Sequence, residues 1–371
     1  MNITLFAIAF LGVFILLNMY ISKRFISHLD INSRSKFYLR AFLILNFFGI
    51  IGYMLGRYYF NVPNWLYFLF SLPIGVLFLL FCTALIYDLS RVLISHSPLS
   101  NERRKFFKKS LDLSSFALAT TLSLRAIYEA KFVKLEKVRV QIKNLKKSYK
   151  IVQISDIHVG GLINAQFIKD LVHRINLLNP DIVVITGDLV DIDIVKAKPV
   201  LLELKNLQSK YGTFFIVGNH EYFHGIDKII EEVKALDIRV LENENVYIGE
   251  DGEGFNLAGV YDIFGYRVQN HMPDLQKALA HKKESPTILL AHQPRYIEEV
   301  TEGVDLMLSG HTHGGQLYPF RFLVQLQQPY ISGLHQHTPA LQIYVNKGTG
   351  FWGPPMRLGA SSEITEIVIE G

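Results

Sequence analysis

Five short polar motifs in the second part of the sequence contain carboxylate, amide and imidazole side chains, which are the groups that bind divalent cations. In chain order the motifs are Ser155-Asp156-Ile157-His158, Gly187-Asp188-Leu189-Val190-Asp191, Gly218-Asn219-His220-Glu221, Ala291-His292-Gln293 and Gly310-His311-Thr312-His313. An isolated Asp-x-His pair is a weak signal, because it also occurs in surface turns. Five such motifs, each directly after an apolar run, favour a metal site.

The available donor atoms restrict the metal. The sequence has one cysteine, Cys82, inside an apolar stretch, so we expect neither a disulfide framework nor a cysteine zinc site. Oxygen and imidazole ligands without a thiolate favour Mn, Fe or Zn. Two such ions, roughly 3.5–4 Å apart, can polarise a phosphoryl group, generate hydroxide from bound water and stabilise the leaving oxygen.

Strand-like and helix-like segments alternate around the motifs, and this alternation predicts an α/β layered domain. Strands are predicted at 151–154, 182–185, 213–217, 287–290, 304–308, 341–345 and 364–369, with shorter strands of a second sheet at 239–241, 246–248 and 255–260. Helices are predicted from the Asn164 cap to about 178, at 198–209 and at 226–236. Because ligands bind at the carboxyl ends of strands in such sheets, the five motifs should meet at one site.

The first third of the chain contains most of the apolar excess of a sequence that is 50% hydrophobic. Its apolar runs predict a bundle of three to four transmembrane helices at about 3–21, 40–60, 63–88 and 110–128. A signal peptide is the alternative for the first run, and buried helices of a soluble core are the alternative for the set. The predicted organisation is a transmembrane region (1–130), a basic linker or leading strand (131–148) and a catalytic domain (149–371).

Charged residues suggest an orientation for this region. Basic residues are frequent between runs one and two and between runs three and four, so those loops should be cytoplasmic. Arg103-Arg104, before the fourth run, resembles a twin-arginine export signal, although Arg pairs are also common beside membrane spans. Both features predict an extracytoplasmic catalytic domain, whereas the basic stretch at 131–147 argues against it. Whether the fourth run spans the membrane or is cleaved stays open.

In this order, Asp-x-His, Gly-Asp-x-x-Asp, Gly-Asn-His-Glu, a later His and Gly-His-x-His resemble the calcineurin-like metallophosphoesterase family. Segments 310–316 and 346–357 are similar to its membrane-associated bacterial branch, and the resemblance covers residues 149–371. It implies a two-sheet αββα sandwich with two divalent metal ions. One metal would be held by Asp156, His158 and His313, and the other by Asn219, His292 and His311, with Asp188 as the bridge. His220 would assist the leaving group, and Asp191 and Glu221 would orient the ligands.

The expected function is therefore a membrane-anchored hydrolase of phosphate esters, in which a metal-bound hydroxide attacks phosphorus. The membrane tether favours phosphodiesters, including lipid or cell-envelope phosphates. A non-catalytic membrane sensor for a phosphorylated ligand is the alternative. The expected partners are the lipid bilayer and a phosphate ester. The net charge of +5 does not predict nucleic acid as a partner, because the basic runs lie mostly before residue 148. Substrate-binding residues and the oligomeric state stay unknown.

Several residues outside the motifs keep two interpretations. His224 is either a loop histidine or part of the substrate pocket, and His335 and His337 are interpreted as loop residues, with pocket lining as the alternative. The segment 351–355 is interpreted as a rigid turn that packs the carboxyl terminus, with a pocket role as the alternative.

Overall fold

The computed structural model describes residues 3–58, 60 and 62–371, and these residues form two compact units. A helical unit comprises Met1–Glu129 and Gly353–Leu358. An α/β unit comprises Ala130–Trp352 and Gly359–Gly371. The α/β unit thus begins before residue 149, because the residues of the predicted basic linker form a strand that joins its first sheet.

Four long helices make up most of the helical unit. They are α1 (Ile3–Tyr20), α2 (Ser33–Tyr58), α3 (Asn64–His96) and α4 (Asn101–Glu129). Three stretches are long and apolar enough to cross a membrane: Ala7–His28, Ser33–Arg57 and Asn64–His96. Helix α4 contains the fourth predicted run and is long enough to span, but it is not one of the three stretches found among the described residues.

Polar side chains connect the helices of this unit beside an apolar core. Arg24 lies 2.6 Å from the carboxylate of Asp88 on α3. Asp112 on α4 accepts hydrogen bonds from the Tyr87 hydroxyl at 2.8 Å and from the Asp30 N–H at 2.7 Å. Since Tyr87 and Asp112 are both buried, this contact fixes α4 against α3. Charged groups inside an apolar bundle are stable only when they are paired in this way.

The α/β unit contains twelve strands and seven helices. The strands are β1 (Val133–Gln141), β2 (Tyr149–Ile154), β3 (Ile182–Thr186), β4 (Thr213–Ile216), β5 (Arg239–Val240), β6 (Glu244–Ile248), β7 (Phe255–Gly259), β8 (Thr287–Leu290), β9 (Leu306–Ser309), β10 (Gly333–Gln336), β11 (Gln342–Val345) and β12 (Ser362–Glu370). The helices are α5 (Ala165–Asn176), α6 (Ile194–Leu201), α7 (Asn219–His224), α8 (Ile226–Ala235), α9 (Phe264–Val268), α10 (Leu275–Ala278) and α11 (Arg321–Val324).

The strands form two six-stranded sheets, in the orders β1-β12-β2-β3-β4-β5 and β10-β11-β9-β8-β7-β6. Inward-facing residues of both sheets, among them Val184, Ile216, Leu257 and Leu308, share one buried core. The outer face of the first sheet packs on α5, α6 and α8, and the second sheet packs on α10 and a 3-10 turn at Pro294–Glu299. This confirms the predicted two-sheet αββα sandwich behind an N-terminal helical region.

Two local predictions need correction. The segment 239–241 was assigned to the second sheet, but β5 pairs with β4 in the first sheet through Phe214 and Phe215. The helix predicted at 198–209 begins earlier, at Ile194, because the Asp193 carboxylate caps it by accepting the N–H of Val195. It ends at Leu201 and continues as a 3-10 turn to Asn206. By contrast, Asn164 caps α5 as predicted, by accepting the N–H of Phe167.

Candidate metal centre

The seven predicted ligands lie at one edge of the sandwich, because each follows the carboxyl end of a parallel strand. Asp156 and His158 follow β2, Asp188 follows β3, and Asn219 follows β4 as the first residue of α7. His292 follows β8, and His311 and His313 follow β9. Both sheets therefore supply donor atoms to the same edge, as the sequence predicts.

One group of donor atoms consists of Asp156, His158 and His313, and all three side chains are buried. His158 Nε2 lies 3.0 Å from His313 Nε2, and Asp156 Oδ1 lies 3.4 Å from the latter and 4.0 Å from the former. The Asp156 carboxylate also accepts the Ser155 hydroxyl at 2.5 Å, and its two oxygens accept the backbone N–H of His311 at 3.0 and 2.9 Å. These bonds hold the carboxylate in place.

A second group consists of Asp188, His292 and His311, with Asn219 beside it. His292 Nε2 lies 3.2 Å from Asp188 Oδ2, 3.2 Å from Asn219 Oδ1 and 3.3 Å from His311 Nδ1. The other ring nitrogen of His292, Nδ1, is 2.7 Å from the carbonyl oxygen of Thr186. That bond fixes the ring so that Nε2 points at the other donors.

Asp188 lies between the two groups. Its Oδ2 atom is 3.2 Å from His292 Nε2 in the second group and 3.9 Å from His158 Nε2 in the first. Asp188 is 2% exposed, and its Oδ1 accepts the backbone N–H of His220 at 2.9 Å. This is the position that a bridging carboxylate needs.

The predicted ligands have an unusual backbone conformation. Five of them have a positive φ, in the left-handed region that non-glycine residues rarely adopt: Asp156 (51°), His158 (54°), Asp188 (51°), His311 (69°) and His313 (50°). Each such residue costs on the order of 1–3 kcal/mol. The surrounding fold therefore holds these side chains in positions that local preference alone would not select.

Gly187 makes the close approach of the motif loops possible. It has a φ of +88°, and a Cβ atom there would lie 2.5 Å from His292 Nδ1 and 2.8 Å from the Cα of Gly218. Any side chain at position 187 would therefore push the Asp188 loop away from His292.

Mutual electrostatics sets the ionisation of the central groups. Burial alone would raise the pKa of Asp188, but the neighbouring imidazoles of His292 and His220 outweigh it and hold this pKa well below the usual range. Burial alone would lower the pKa of His292, but Asp188 outweighs it and raises this pKa well above its usual value. Burial also raises the pKa of Asp156 to about 6, with a contribution from Asp188. The Asp188 carboxylate therefore stays ionised beside positive charge, which a bound cation would supply in place of the His292 proton.

Glu221 forms hydrogen bonds to the backbone of two motif loops. Its buried carboxylate accepts the backbone N–H groups of Asp188, Leu189, Val190 and Gly218, at distances of 2.6 to 3.2 Å. Burial and the nearby Asp188 charge raise the pKa of Glu221 to about 7. Glu221 thus holds the backbone of one predicted ligand, Asp188, and of three other residues of the motifs.

His220 lies at the open side of the donor groups. Its Nδ1 atom is 2.7 Å from Asp191 Oδ1, and its Nε2 atom is 3.9 Å from Asp188 Oδ2. His224, for which the sequence left two interpretations, lies with Nε2 3.6 Å from the same oxygen of Asp191. The structure therefore brings His224 to the site. His335 and His337 lie elsewhere, against Tyr330.

The sequence analysis missed the aromatic surroundings of His220. Rings of Phe223 and Trp352 lie 5.6 and 6.2 Å from the His220 ring, and Phe264 lies 4.8 Å from Phe223. Phe223 and Trp352 are both 44% exposed. The segment 351–355 was interpreted as a rigid turn with a pocket role as the alternative, and the approach of Trp352 to His220 favours that alternative. An exposed tryptophan beside a Gly-Pro-Pro segment was the signal available.

The geometry fits two divalent cations. Bond lengths near 2.1 Å place neighbouring ligand atoms about 3.0–3.4 Å apart in octahedral or tetrahedral coordination. Each group contains donor separations of 3.0 to 3.4 Å, which lie in this range, and the 4.0 Å between Asp156 Oδ1 and His158 Nε2 is somewhat longer. Donors of this kind, oxygen and imidazole nitrogen, suit Mn, Fe or Zn.

Comparison with known proteins shows the family to which the chain belongs. The family profile described as calcineurin-like phosphoesterase matches residues 149–315. An uncharacterized metallophosphoesterase of Helicobacter pylori is 41% identical over 369 residues, which cover 98% of each chain. Another, from Campylobacter jejuni, is 34% identical and covers 99% of this chain and 98% of its own. A Bos taurus protein called transmembrane protein with metallophosphoesterase domain is 38% identical and covers 60% of this chain and 53% of its own.

The chain belongs to the calcineurin-like metallophosphoesterase family. It is thus a phosphoric ester hydrolase by family, with clusters of His and Asp side chains that can bind metal ions. Three candidate membrane-spanning helices precede the α/β unit.

Proposed function

We propose that the protein is a membrane-anchored, two-metal hydrolase of phosphate esters, with phosphodiesters as the favoured class and lipid or cell-envelope phosphates as candidate substrates. One observation carries the proposal. Two groups of donor atoms, Asp156/His158/His313 and Asp188/His292/His311, lie side by side, with Asp188 Oδ2 within 3.9 Å of a nitrogen in each. Such an arrangement favours phosphoryl transfer, because two cations held close together stabilise both the attacking and the leaving oxygen.

The protein residues have separate tasks in this mechanism. Divalent cations, when bound, supply Lewis acidity that polarises the phosphoryl group and makes a water molecule acidic. Asp191 accepts the Nδ1 proton of His220 at 2.7 Å, so that Nε2 of His220 faces the donor groups. A proton held at that Nε2 atom can pass to the leaving alkoxide oxygen, and the Asp191 carboxylate stabilises the imidazolium before transfer.

Aromatic residues beside His220 support the preference for diesters. A phosphodiester has a second organic substituent, whereas a monoester has a second negative charge. Exposed faces of Phe223 and Trp352 can cover an apolar substituent at this position, and they offer no charge to a dianion.

Turnover of a soluble diester tests the proposal. The full-length protein in lipid nanodiscs should hydrolyse bis-p-nitrophenyl phosphate with Mn²⁺, faster than p-nitrophenyl phosphate, and chelation of the metal should abolish turnover. The change His220→Ala should lower kcat by about 10²–10⁴-fold while metal stays bound. A protein that binds Mn²⁺ and hydrolyses neither ester would instead support the sensor alternative.

We also propose that the α/β unit faces away from the cytoplasm, on the basis of the basic loops between the first two and the last two apolar runs. A carboxyl-terminal reporter that is active only outside the cytoplasm should give a signal. A signal from a cytoplasmic reporter at the same position would contradict the orientation and leave the chemistry untouched.

A further inference from the structure

An apolar surface segment follows the last metal motif. In residues 318–326, here named the 318–326 loop, five large side chains are exposed: Tyr318, Phe320, Phe322, Leu323 and Leu326. Their exposed fractions range from 42% for Phe320 to 81% for Leu326. Single exposed apolar residues are ordinary, but a group of five within nine residues marks an interaction surface.

Hydrogen bonds hold both ends of this loop. At its start, the Gln316 side chain donates to the Trp352 carbonyl at 2.8 Å and accepts the Trp352 N–H at 3.0 Å. At its end, the buried Gln328 side chain donates to Gln293 at 3.2 Å and accepts the N–H of Arg295 at 3.0 Å. The short helix α11 lies between these ends. The loop therefore presents its apolar side chains from a fixed base.

Both ends of the loop adjoin the candidate metal centre. Gln316 lies three residues after His313, and Gln293 directly follows His292. Trp352, which holds Gln316, has its ring 6.2 Å from the ring of His220. Whatever covers the loop therefore lies near the mouth of the site.

The composition of the loop matches a lipid surface. It contains aromatic and aliphatic side chains, one basic residue, Arg321, and no acidic residue. Aromatic residues with an occasional Arg are enriched where proteins meet the interfacial region of a bilayer. The same chain has three helices that can cross a membrane, so a bilayer is always at high local concentration.

We propose that the 318–326 loop inserts its apolar side chains into the bilayer to which the chain is anchored and thereby presents the metal centre to the phosphate groups of membrane lipids. Insertion itself depends only on the loop. The lipid-phosphate substrate class rests on the proposed function.

Depth-dependent fluorescence quenching tests insertion in the full-length protein. The single cysteine is removed by Cys82→Ala, and Leu326→Cys is labelled with an environment-sensitive dye in phosphatidylcholine–phosphatidylglycerol nanodiscs. The matched control is Val195→Cys on α6, an apolar residue that is 75% exposed in the same unit. We expect a blue-shifted emission at 326 that nitroxide-labelled lipids quench, and neither effect at 195.

Two results would overturn the inference. Emission at 326 that matches emission at 195 means that the loop stays in water. A blue shift that lipid nitroxides do not quench means that a protein surface, and not lipid, covers the loop.

A third variant measures the contribution of the side chains themselves. With the dye at Leu323→Cys, the pair Phe322→Ser and Leu326→Ser should shift the docking equilibrium by about tenfold or more towards water, and unchanged quenching counts against insertion.

The test of loop insertion and the test of ester hydrolysis can succeed or fail independently. Hydrolysis of bis-p-nitrophenyl phosphate, a soluble ester, should be the same in the Phe322→Ser/Leu326→Ser variant as in the unaltered protein, since neither residue belongs to the metal centre. Quenching at 326 in a protein that hydrolyses no ester would leave the loop assignment standing and reject the enzyme. Ester hydrolysis without quenching at 326 would support the enzyme and reject insertion of the loop.

Discussion

The two sheets contribute different chemistry to the metal centre. The first sheet supplies both carboxylates, Asp156 and Asp188, together with the Asn219 amide and one imidazole, His158. The second sheet supplies imidazoles only: His292, His311 and His313. Negative charge thus comes from one side of the sandwich, and imidazole nitrogen donors come from the other.

Each half is nevertheless held by the backbone of the other. The N–H of His311, from the second sheet, donates to Asp156 at 2.9 Å, and Nδ1 of His292 lies 2.7 Å from the Thr186 carbonyl of the first sheet. Because their donor atoms differ, we expect substitutions in the first-sheet set and in the second-sheet set of predicted ligands to have different effects. Loss of a carboxylate removes charge that two dications require, whereas loss of an imidazole removes one neutral donor that a higher metal concentration can offset.

The largest expected effect comes from the first-sheet half. Replacing Asp188 by asparagine keeps the size of the side chain and removes the charge between the two donor groups. We expect hydrolysis of bis-p-nitrophenyl phosphate to fall to the level of buffer, with no recovery at millimolar Mn²⁺. Recovery of activity by added metal would show that Asp188 does not bridge.

His220 is not one of the predicted ligands, although it lies with His158 and Asp191 in a third group of donor atoms that could hold a metal. Its replacement therefore tests whether it serves the chemistry or the binding of metal. The change His220→Ala should lower kcat by about 10²–10⁴-fold, which is the usual contribution of a general acid, with the metal content unchanged. The measurement pairs steady-state kinetics with metal analysis of the same sample. Loss of metal in this variant would mean that His220 is a ligand.

The second-sheet half is tested by His292→Asn. This change keeps a donor atom but removes the imidazole, so the affinity for one metal should fall by about 10–100-fold, at the scale of losing a supporting interaction. Activity should be low at micromolar Mn²⁺ and should recover at millimolar Mn²⁺. If His292→Asn, like Asp188→Asn, does not regain activity at millimolar Mn²⁺, the carboxylates and the imidazoles do not differ in the way expected here.

The smallest effect is expected at His224. The His224 ring lies 3.6 Å from the Asp191 oxygen that also contacts His220. His224→Ala should therefore change kcat only several-fold, well below the 10²–10⁴-fold contribution of a general acid. His173→Ala, on α5, serves as the control for loss of a histidine outside the site. A loss as large as that in His220→Ala would make His224 the acid instead.

The sequence predicted the two-sheet sandwich, which the structure confirms, and it predicted that the motif residues meet at one edge of it. Asp156, Asp188 and His292 could be found because each directly follows a buried strand, and parallel strands end at a common edge. The metal roles of these residues stay predictions until metal is measured.

Other features depend on packing between distant parts of the chain. The strand β5 has two residues, too few for a pattern that indicates which sheet it joins, and only its pairing with Phe214 and Phe215 decides this. The approach of Trp352 to His220 joins positions 132 residues apart, and no local pattern encodes such a contact.

The most direct test of the account counts metal ions in the full-length protein. Mass spectrometry of protein saturated with Mn²⁺ and freed of excess metal should give two ions per chain, and the Asp188→Asn variant should give one or fewer. Active protein with a single ion per chain, or two ions retained in Asp188→Asn, would contradict the claim that Asp188 joins two metal sites.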